Sequence, residues 1–165
     1  MKPSHYLLLL FTVILIILSS ITLPVSAQQK NKNNYADMAA EILTIVNEHR
    51  THMKLSALKM NEIIVNIATV HSKNMGTGVV SFGHDGFDER VDLLRKKVKP
   101  TNAWAENVAY GAKTAKQVVN MWLNSPEHRE NIEGNYNQTG IGIFKGRDGY
   151  LYFTQIFCKV TNTKK

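Results

Sequence analysis

One glutamate and two histidines are the residues whose types and spacing are best suited to chemistry. Glu106 is a lone carboxylate inside the apolar run 105–109, Ala-Glu-Asn-Val-Ala. His128 follows about twenty residues later, in the segment 122–129, Trp-Leu-Asn-Ser-Pro-Glu-His-Arg, and His84 precedes both. Imidazoles and a carboxylate that converge on one pocket can bind zinc or move protons. The sequence therefore offers a His/Glu/His set as its main candidate site.

The surroundings of Glu106 allow two interpretations. On an extended strand it shares a face with Trp104, Val108 and Tyr110. A carboxylate among large apolar groups is costly unless it is paired. It is either a metal ligand or base with a tuned pKa, or a structural glutamate satisfied by backbone amides or an arginine. The residues alone leave both interpretations open.

The two histidines have different local settings. If Ser125 is an N-cap, His128 lies in the first turn of a helix, where the helix dipole disfavours a charged imidazole. A neutral imidazole suits a metal or a general base, although such a residue can also merely cap the turn. His84 lies in a glycine-flanked loop and is either functional or simply solvated. Asp85 is a candidate for fixing its tautomer.

We interpret the other potentially reactive residues as structural. His71 lies on the apolar stripe of a predicted helix, which indicates a core or capping histidine. Arg90 and Arg129 are interpreted as partners in structural ion pairs. Cys158 lies in an apolar run without a helper, and no G-x-S-x-G motif, phosphate loop or dinucleotide fingerprint occurs. Serine and cysteine hydrolase mechanisms are therefore poorly supported.

Hydrophobic spacing predicts the elements that must position these groups. It indicates a first helix around residues 39–46 and a second from the N-cap Asn61 to the glycines at 76 and 78. Later elements are a helix over 88–98, a strand over 104–110, a helix over 115–122, a helix from Ser125 to Gly134, and a hairpin of strands 139–144 and 150–160. Helices early and antiparallel strands late predict an α+β layered domain.

The N-terminus has the pattern of a secretory signal peptide. Lys2 precedes an almost wholly apolar stretch at 7–18, and Val25-Ser26-Ala27 is a small-x-small cleavage site. We expect cleavage after Ala27, although an uncleaved anchor is the alternative because the apolar run nearly reaches the ~20 residues of a span. The predicted divisions are a signal peptide at 1–27, a flexible leader at 28–34, the domain at 35–160 and a polar tail at 161–165.

Composition limits the class of protein further. Removing 27 of the 165 residues leaves enough chain for one domain, and the single Cys158 excludes an internal disulfide. The net charge of +7 is spread out, apart from one cluster at Arg95, Lys96, Lys97 and Lys99. That cluster is either a solvated face or a contact for an anionic surface. No nucleic-acid motif is present, so we expect no nucleic-acid partner.

Short motifs occur along the chain in a fixed order: 47–50 (Asn-Glu-His-Arg), 55–60, 71–75 (His-Ser-Lys-Asn-Met), 83–84, 105–109, 122–129, 140–142 (Gly-Ile-Gly) and 152–157. This ordered set resembles the CAP superfamily of cysteine-rich secretory proteins, antigen 5 and pathogenesis-related 1 proteins, also called SCP-like domains. The Ser-Pro-x-His-Arg form resembles the bacterial branch. The resemblance covers about residues 35–160.

The resemblance implies an α-β-α sandwich with a central, mostly antiparallel sheet, and a cavity lined in eukaryotic members by two histidines and two acidic residues. His84 matches the first cavity histidine and Glu106 matches the glutamate. Ser125 replaces the second glutamate, with His128 filling that region, and Tyr152 replaces the second histidine. What remains is the set His84, Glu106 and His128 as zinc ligands, with Tyr152 nearby. Three ligands and an open position are typical of an exchangeable zinc site.

Three functions follow as expectations. The preferred one is a secreted or periplasmic, non-catalytic module that binds a small apolar ligand (lipid or sterol-like) or a cell-envelope or surface partner, with no membrane span after cleavage. The second is a metal-dependent hydrolase in which zinc on His84, Glu106 and His128 activates water and Tyr152 stabilises the oxyanion. The third is a polar cluster that only holds loop, strand and helix together.

Overall fold

The computed structural model describes residues 25–98 and 101–161. The chain divides into two units, Met1–Asn33 and Asn34–Lys165. In the first unit the structure describes only the backbone from Val25 onward, which is helical. The elements are α1 (Val25–His52), β1 (Lys59–Met60), α2 (Glu62–Thr77), α3 (Phe87–Lys97), β2 (Thr101–Tyr110), α4 (Ala115–Asn124), α5 (Pro126–Glu133), β3 (Gln138–Lys145) and β4 (Leu151–Val160).

The four strands form one mostly antiparallel sheet in the order β1-β3-β4-β2. Strands β3 and β4 are an antiparallel hairpin, and β4 pairs antiparallel with β2 in a register that places Glu106 opposite Ile156. Only the two-residue β1 is parallel to its neighbour, β3. Since side chains alternate between faces, this register decides which residues of β2 share a face with Glu106.

Helices cover both faces of the sheet. One core joins α1, α4 and α5 to the face that carries Ala105, Phe153 and Phe157. The other joins α2 and α3 to the opposite face, which carries Trp104, Ile156 and Cys158. The α+β fold with an α-β-α sandwich is therefore confirmed. The face under α2 and α3 also carries Glu106, because Glu106 is two residues from Trp104.

Two glycines on β3 allow α2 to approach the sheet closely. A Cβ atom at Gly140 would lie 2.3 Å from the carbonyl carbon of Ile64, and one at Gly142 would lie 2.2 Å from the backbone nitrogen of Thr69. Any side chain at either position would push the helix away from the sheet. This close approach places the buried face of α2, including His71, directly over the sheet.

Most boundaries agree with the sequence pattern within a few residues. Asn61 caps α2 through bonds from two backbone amides, whereas the Ser125 side chain makes no such bond although Pro126 begins α5. Residues 1–24 of the predicted signal peptide (1–27) lie outside the described part of the chain. The segment 28–34, expected to be a flexible leader, has a helical backbone, because no glycine or proline interrupts it. In the part described, no helix is long and apolar enough to span a bilayer.

Arg50 connects the end of α1 to two distant segments through backbone carbonyls. Its side chain is buried, with only 1% of the residue exposed. The guanidinium donates to the carbonyls of Ser56 at 2.9 Å, Gly134 at 2.9 Å and Tyr136 at 3.2 Å, and also to that of Ile132. Arg50 therefore connects the end of α1 to the turn that follows it and to the segment that follows α5.

Replacing Arg50 should destabilise the whole domain. In Arg50→Met the carbonyls lose buried donors, so we expect the free energy of unfolding to fall by about 3 kcal/mol or more. Urea denaturation measures this, with Lys54→Met, an exposed neighbour in the following turn, as the control. Equal stability of the two variants would contradict the role given to Arg50.

Candidate functional site

The carboxylate of Glu106 is buried and held by the guanidinium of Arg90. Its side chain is only 1% exposed. Arg90 donates from Nε to Oε2 and from Nη2 to Oε1, each at 2.7 Å. Two parallel charge-assisted bonds of this kind are the strongest pairing available to a carboxylate. The interpretation of Glu106 as a carboxylate satisfied by an arginine agrees with this geometry.

Arg90 reaches this position from the first turn of α3. It lies on the buried face of that helix with Val91 and Leu94. Its remaining donors go to backbone carbonyls, to Asp85 at 2.8 Å from Nη1 and to His84 at 3.3 Å from Nη2. One side chain therefore joins α3, β2 and the loop between α2 and α3.

His84 also contacts the carboxylate but remains open to solvent. Its Nδ1 lies 2.9 Å from Oε1 of Glu106, while half of the side chain is exposed. Because an ionised carboxylate only accepts, Nδ1 donates this bond, and Nε2 has no hydrogen-bond partner among the described residues. Asp85, the partner expected from the sequence, instead contributes its backbone carbonyl to Arg90.

His71 approaches the same carboxylate from α2. Its ring is buried, and Nε2 lies 2.9 Å from the carbonyl of Gly83 and 3.8 Å from Oε1 of Glu106. A carbonyl accepts, so Nε2 is the protonated nitrogen. Its interpretation as a satisfied core histidine agrees with this geometry. His71 and Arg90 thus hold both ends of the short stretch 83–85.

Burial and neighbouring charges shift the pKa values of Glu106 and His71 in opposite directions. Burial alone raises the pKa of Glu106, but hydrogen bonds from His84 and Arg90, with the charge of Arg90, outweigh it and leave the pKa below its usual value. Burial lowers the pKa of His71 despite its bond to Gly83 and the nearby carboxylate. At neutral pH the cluster therefore holds an ionised carboxylate beside a neutral His71.

His128 adjoins this cluster on the side of α5. Its backbone carbonyl accepts a bond of 2.9 Å from the Asn107 amide. Burial, and then repulsion from His84, lower the pKa of the His128 imidazole, whereas Glu127 raises it. The expectation of a neutral imidazole in the first helical turn agrees with this direction, although burial rather than the helix dipole is the main cause.

Tyr152 belongs to a different group of side chains. Its hydroxyl donates to Oδ2 of Asp148 at 2.8 Å, and its ring stacks on Tyr110 with centroids 5.7 Å apart. Ile156 faces Glu106, so Tyr152 is four residues away along β4, or about 13 Å at ~3.3 Å per residue. The role of Tyr152 beside Glu106 stays a prediction, with four residue positions of β4 separating Tyr152 from the partner of Glu106.

An exposed group of rings surrounds Tyr110; we call it the aromatic cluster, and it consists of Phe82, Tyr110, Tyr150 and Tyr152. Centroid distances from Tyr110 are 4.8 Å to Phe82 and 6.3 Å to Tyr150, both edge-to-face. Tyr110 lies four residues from Glu106 on the same strand face, and Phe82 lies two residues before His84. The aromatic cluster is thus connected to the His84 loop through Phe82 and to the strand of Glu106 through Tyr110.

The residues around Glu106 do not fit a metal ion as they stand. Among the described residues, no three His, Cys, Asp or Glu side chains form a group suited to hold one. Both oxygens of Glu106 already accept bonds from a cation, Arg90. Zinc on His84, Glu106 and His128 stays a prediction that this geometry does not favour.

The sequence did not indicate that Arg90 and His71 belong to the candidate site; it predicted an ion-pair partner and a core or capping histidine. The structure brings both of them to Glu106. A signal for Arg90 was available, since an arginine on the apolar stripe of a short helix needs a buried partner. The pairing itself depends on how α3 packs on β2, which no local pattern encodes.

Comparison with known proteins identifies the class of this domain. The model of the cysteine-rich secretory protein family (CAP) matches residues 43–157. The chain therefore belongs to the CAP family. It is 27% identical over 143 residues to the uncharacterised protein YkwD of Bacillus subtilis, an alignment that covers 82% of this chain and 55% of that protein. The chain thus spans little more than half the length of this relative.

Solved bacterial structures share the fold. An extracellular protein of Bacillus anthracis that contains an SCP domain aligns with a TM-score of 0.65, covering 75% of this chain and 41% of its own. An outer surface protein of Borrelia burgdorferi aligns at 0.64, covering 73% and 90%. A cysteine-rich secretory protein of Staphylococcus aureus aligns at 0.61, covering 75% and 38%. Each is 24% identical, so the likeness concerns the fold alone.

Removing the charge of Glu106 should destabilise the domain strongly. Glu106→Gln leaves the Arg90 guanidinium buried without its counter-ion, which costs about 3–5 kcal/mol. Urea denaturation gives the difference. The control is Asp92→Asn, which breaks the exposed Arg95–Asp92 pair and should change stability by less than about 1 kcal/mol. If both variants lost a similar free energy of unfolding, burial of the Arg90–Glu106 pair would not be what makes this pair important.

Acid should weaken the domain in two steps. His71 has a folded pKa below its ordinary 6.5, so the unfolded chain binds more protons and stability falls as pH drops through and below about 6.5. Glu106 has a folded pKa below 4.5, so its contribution is present above about 4.5 and is lost at lower pH. Melting temperatures from about pH 8 to about pH 2 test this. His71→Gln should reduce the first step, to which His128 also contributes because burial lowers its pKa, whereas the exposed His52→Gln should leave that step unchanged.

Proposed function

We propose that this chain is an exported, non-catalytic CAP domain that binds a small apolar ligand across the aromatic cluster beside His84. The observation that carries the proposal is the exposure of the cluster. Phe82 is 48% exposed, Tyr110 47% and Tyr150 52%, although the rings touch one another. Contiguous exposed apolar groups on a folded domain usually mark a binding surface.

The aromatic cluster is held in place by the sheet. Tyr110 and Tyr152 are directly opposite each other in the β2–β4 pair. Asp148 accepts the hydroxyl of Tyr152 and, through its other oxygen, the backbone amide of Tyr150 at 3.1 Å. A ligand would therefore meet rings that are already positioned, which lowers the entropy lost on binding. Tyrosines also offer hydroxyl groups at the edge of an apolar contact.

A hydrolase is less well supported by the same geometry. A zinc-activated water would need the oxygens of Glu106, which Arg90 and His84 engage. The Tyr152 hydroxyl, considered for the oxyanion, is directed to Asp148. The Nε2 atom of His84 has no hydrogen-bond partner in the part of the chain described, but a single imidazole without an activated nucleophile gives little basis for hydrolysis.

Export is supported by the N-terminal sequence pattern. The positive start, apolar run and Val25-Ser26-Ala27 site are typical of a secretory signal. The structural neighbours include an extracellular protein, an outer surface protein and a cysteine-rich secretory protein. A buried free Cys158 and the absence of an internal disulfide are compatible with export, because the stability rests on the two cores. The proposal accordingly places the domain outside the cytoplasm.

Ligand binding should depend on the aromatic cluster. Fluorescence titration of the purified protein with a dansyl-labelled fatty acid and a fluorescent sterol tests the two apolar ligand types. We expect saturable binding of one probe, weakened about tenfold in Tyr110→Ala and in Tyr150→Ala, since an aromatic contact contributes about 1.4 kcal/mol.

The matched control is Met121→Ala. Met121 is 46% exposed on α4, which packs on the opposite face of the sheet, so its removal should leave probe binding unchanged. Equal loss in all three variants would indicate nonspecific adsorption and contradict the proposal. Metal-dependent turnover of an ester or peptide substrate, abolished by His128→Ala, would favour the hydrolase. If the protein bound envelope material but neither probe, its ligand would be a surface partner rather than a small apolar molecule.

A further inference from the structure

We infer that Arg90 is a built-in cation that takes the place of a metal ion at Glu106, so that this CAP domain is organised without a metal. This inference concerns how the cluster is held together, and it needs no ligand to be identified. It stands on three observations: the charge on Glu106, the protons on the facing imidazoles, and the positions of the donor atoms.

The first observation is that the guanidinium satisfies the charge of Glu106 completely. Each carboxylate oxygen accepts one bond of 2.7 Å from Arg90, and Oε1 also accepts one of 2.9 Å from His84. A zinc ion binds a carboxylate oxygen at about 2.0–2.2 Å. In a buried site it would then lie within a few ångströms of the guanidinium, where repulsion between cations is strong.

The second observation is that both imidazole nitrogens nearest Glu106 carry protons. Nδ1 of His84 faces the carboxylate and Nε2 of His71 faces the Gly83 carbonyl, and both partners only accept. A nitrogen must be unprotonated to ligate a metal. Coordination at this point would therefore require each imidazole to move its proton to the other ring nitrogen, and Arg90 to leave the carboxylate.

The third observation is that two imidazole nitrogens lie near Oε1 of Glu106. Ligand atoms on a tetrahedral zinc lie about 3.3 Å apart when the bonds are about 2.0–2.1 Å. The nitrogen of His84 lies 2.9 Å and that of His71 3.8 Å from Oε1 of Glu106. In the described part of the chain these side chains do not form a metal site as they stand, but both distances are close to ligand spacing. Arg90 is therefore the group whose removal should most favour a metal.

Arg90 also performs the ordering that a metal would provide. A structural metal fixes loops by binding groups from several segments. Arg90 joins β2 through Glu106, and it joins the loop through the carbonyls of His84 and Asp85. Arg90 is therefore a positioning residue for the half-exposed His84.

Zinc titration of the unmodified protein is the first test. Calorimetry with zinc chloride should show no site-specific binding, and neither zinc nor a chelator should shift the melting temperature by more than about 1 °C. One-to-one zinc binding that is lost in Glu106→Gln or His84→Ala would overturn the inference. It would mean that the imidazoles accept a metal despite Arg90.

The second test removes the cation while keeping the length of the side chain. Arg90→Met should melt at a lower temperature than the parent, and zinc should raise that temperature by at least about 5 °C. Adding Glu106→Gln to Arg90→Met should abolish the response to zinc. A folded Arg90→Met protein that is indifferent to zinc would overturn the inference.

Two further variants keep this test decisive. If Arg90→Met is unfolded alone, we expect refolding to require zinc, and failure to refold with zinc would count against the inference. Arg90→Lys retains a cation without the planar fork, so it should be less stable than the parent yet insensitive to zinc. Lys96→Met, an exposed change on the same helix, should behave as the parent in both respects.

Discussion

The buried ion pair between Arg90 and Glu106 is the constraint on which the site depends. A carboxylate that is 1% exposed is tolerable only with a cation and hydrogen bonds to both oxygens. Meeting that requirement fixes α3 against β2 and holds the loop that presents His84. The position of the exposed imidazole therefore follows from the need to neutralise one buried charge.

A second buried arginine performs a comparable task elsewhere in the domain. Arg50 binds backbone carbonyls from the turn after α1 and from the chain that leaves α5. With a single cysteine, the chain has no internal disulfide to tie such segments together. The two guanidinium groups act as multivalent, non-covalent links, and each uses donors that a lysine could not supply in the same geometry.

The aromatic cluster is a consequence of where α2 ends. The helix lies close on Gly140 and Gly142 and stops at Thr77, beside Phe144 and Tyr152. Tyr110 ends β2 at this edge of the sheet and Tyr150 precedes β4, so no helix covers their rings and they stay partly in water. The proposed apolar ligand would contact this half-exposed surface.

Hydrophobic periodicity, the Asn61 cap and the order of short motifs were enough to predict the elements, the layered fold and the family, because these are local properties of the chain. The residues also indicated that Glu106 needed a partner, because an isolated buried charge is too costly. Arg90 as that partner, and the separation of Tyr152 from Glu106, emerged only in the folded domain. Those outcomes depend on strand register and on the packing of α3 against β2, which bring together residues that no local spacing relates.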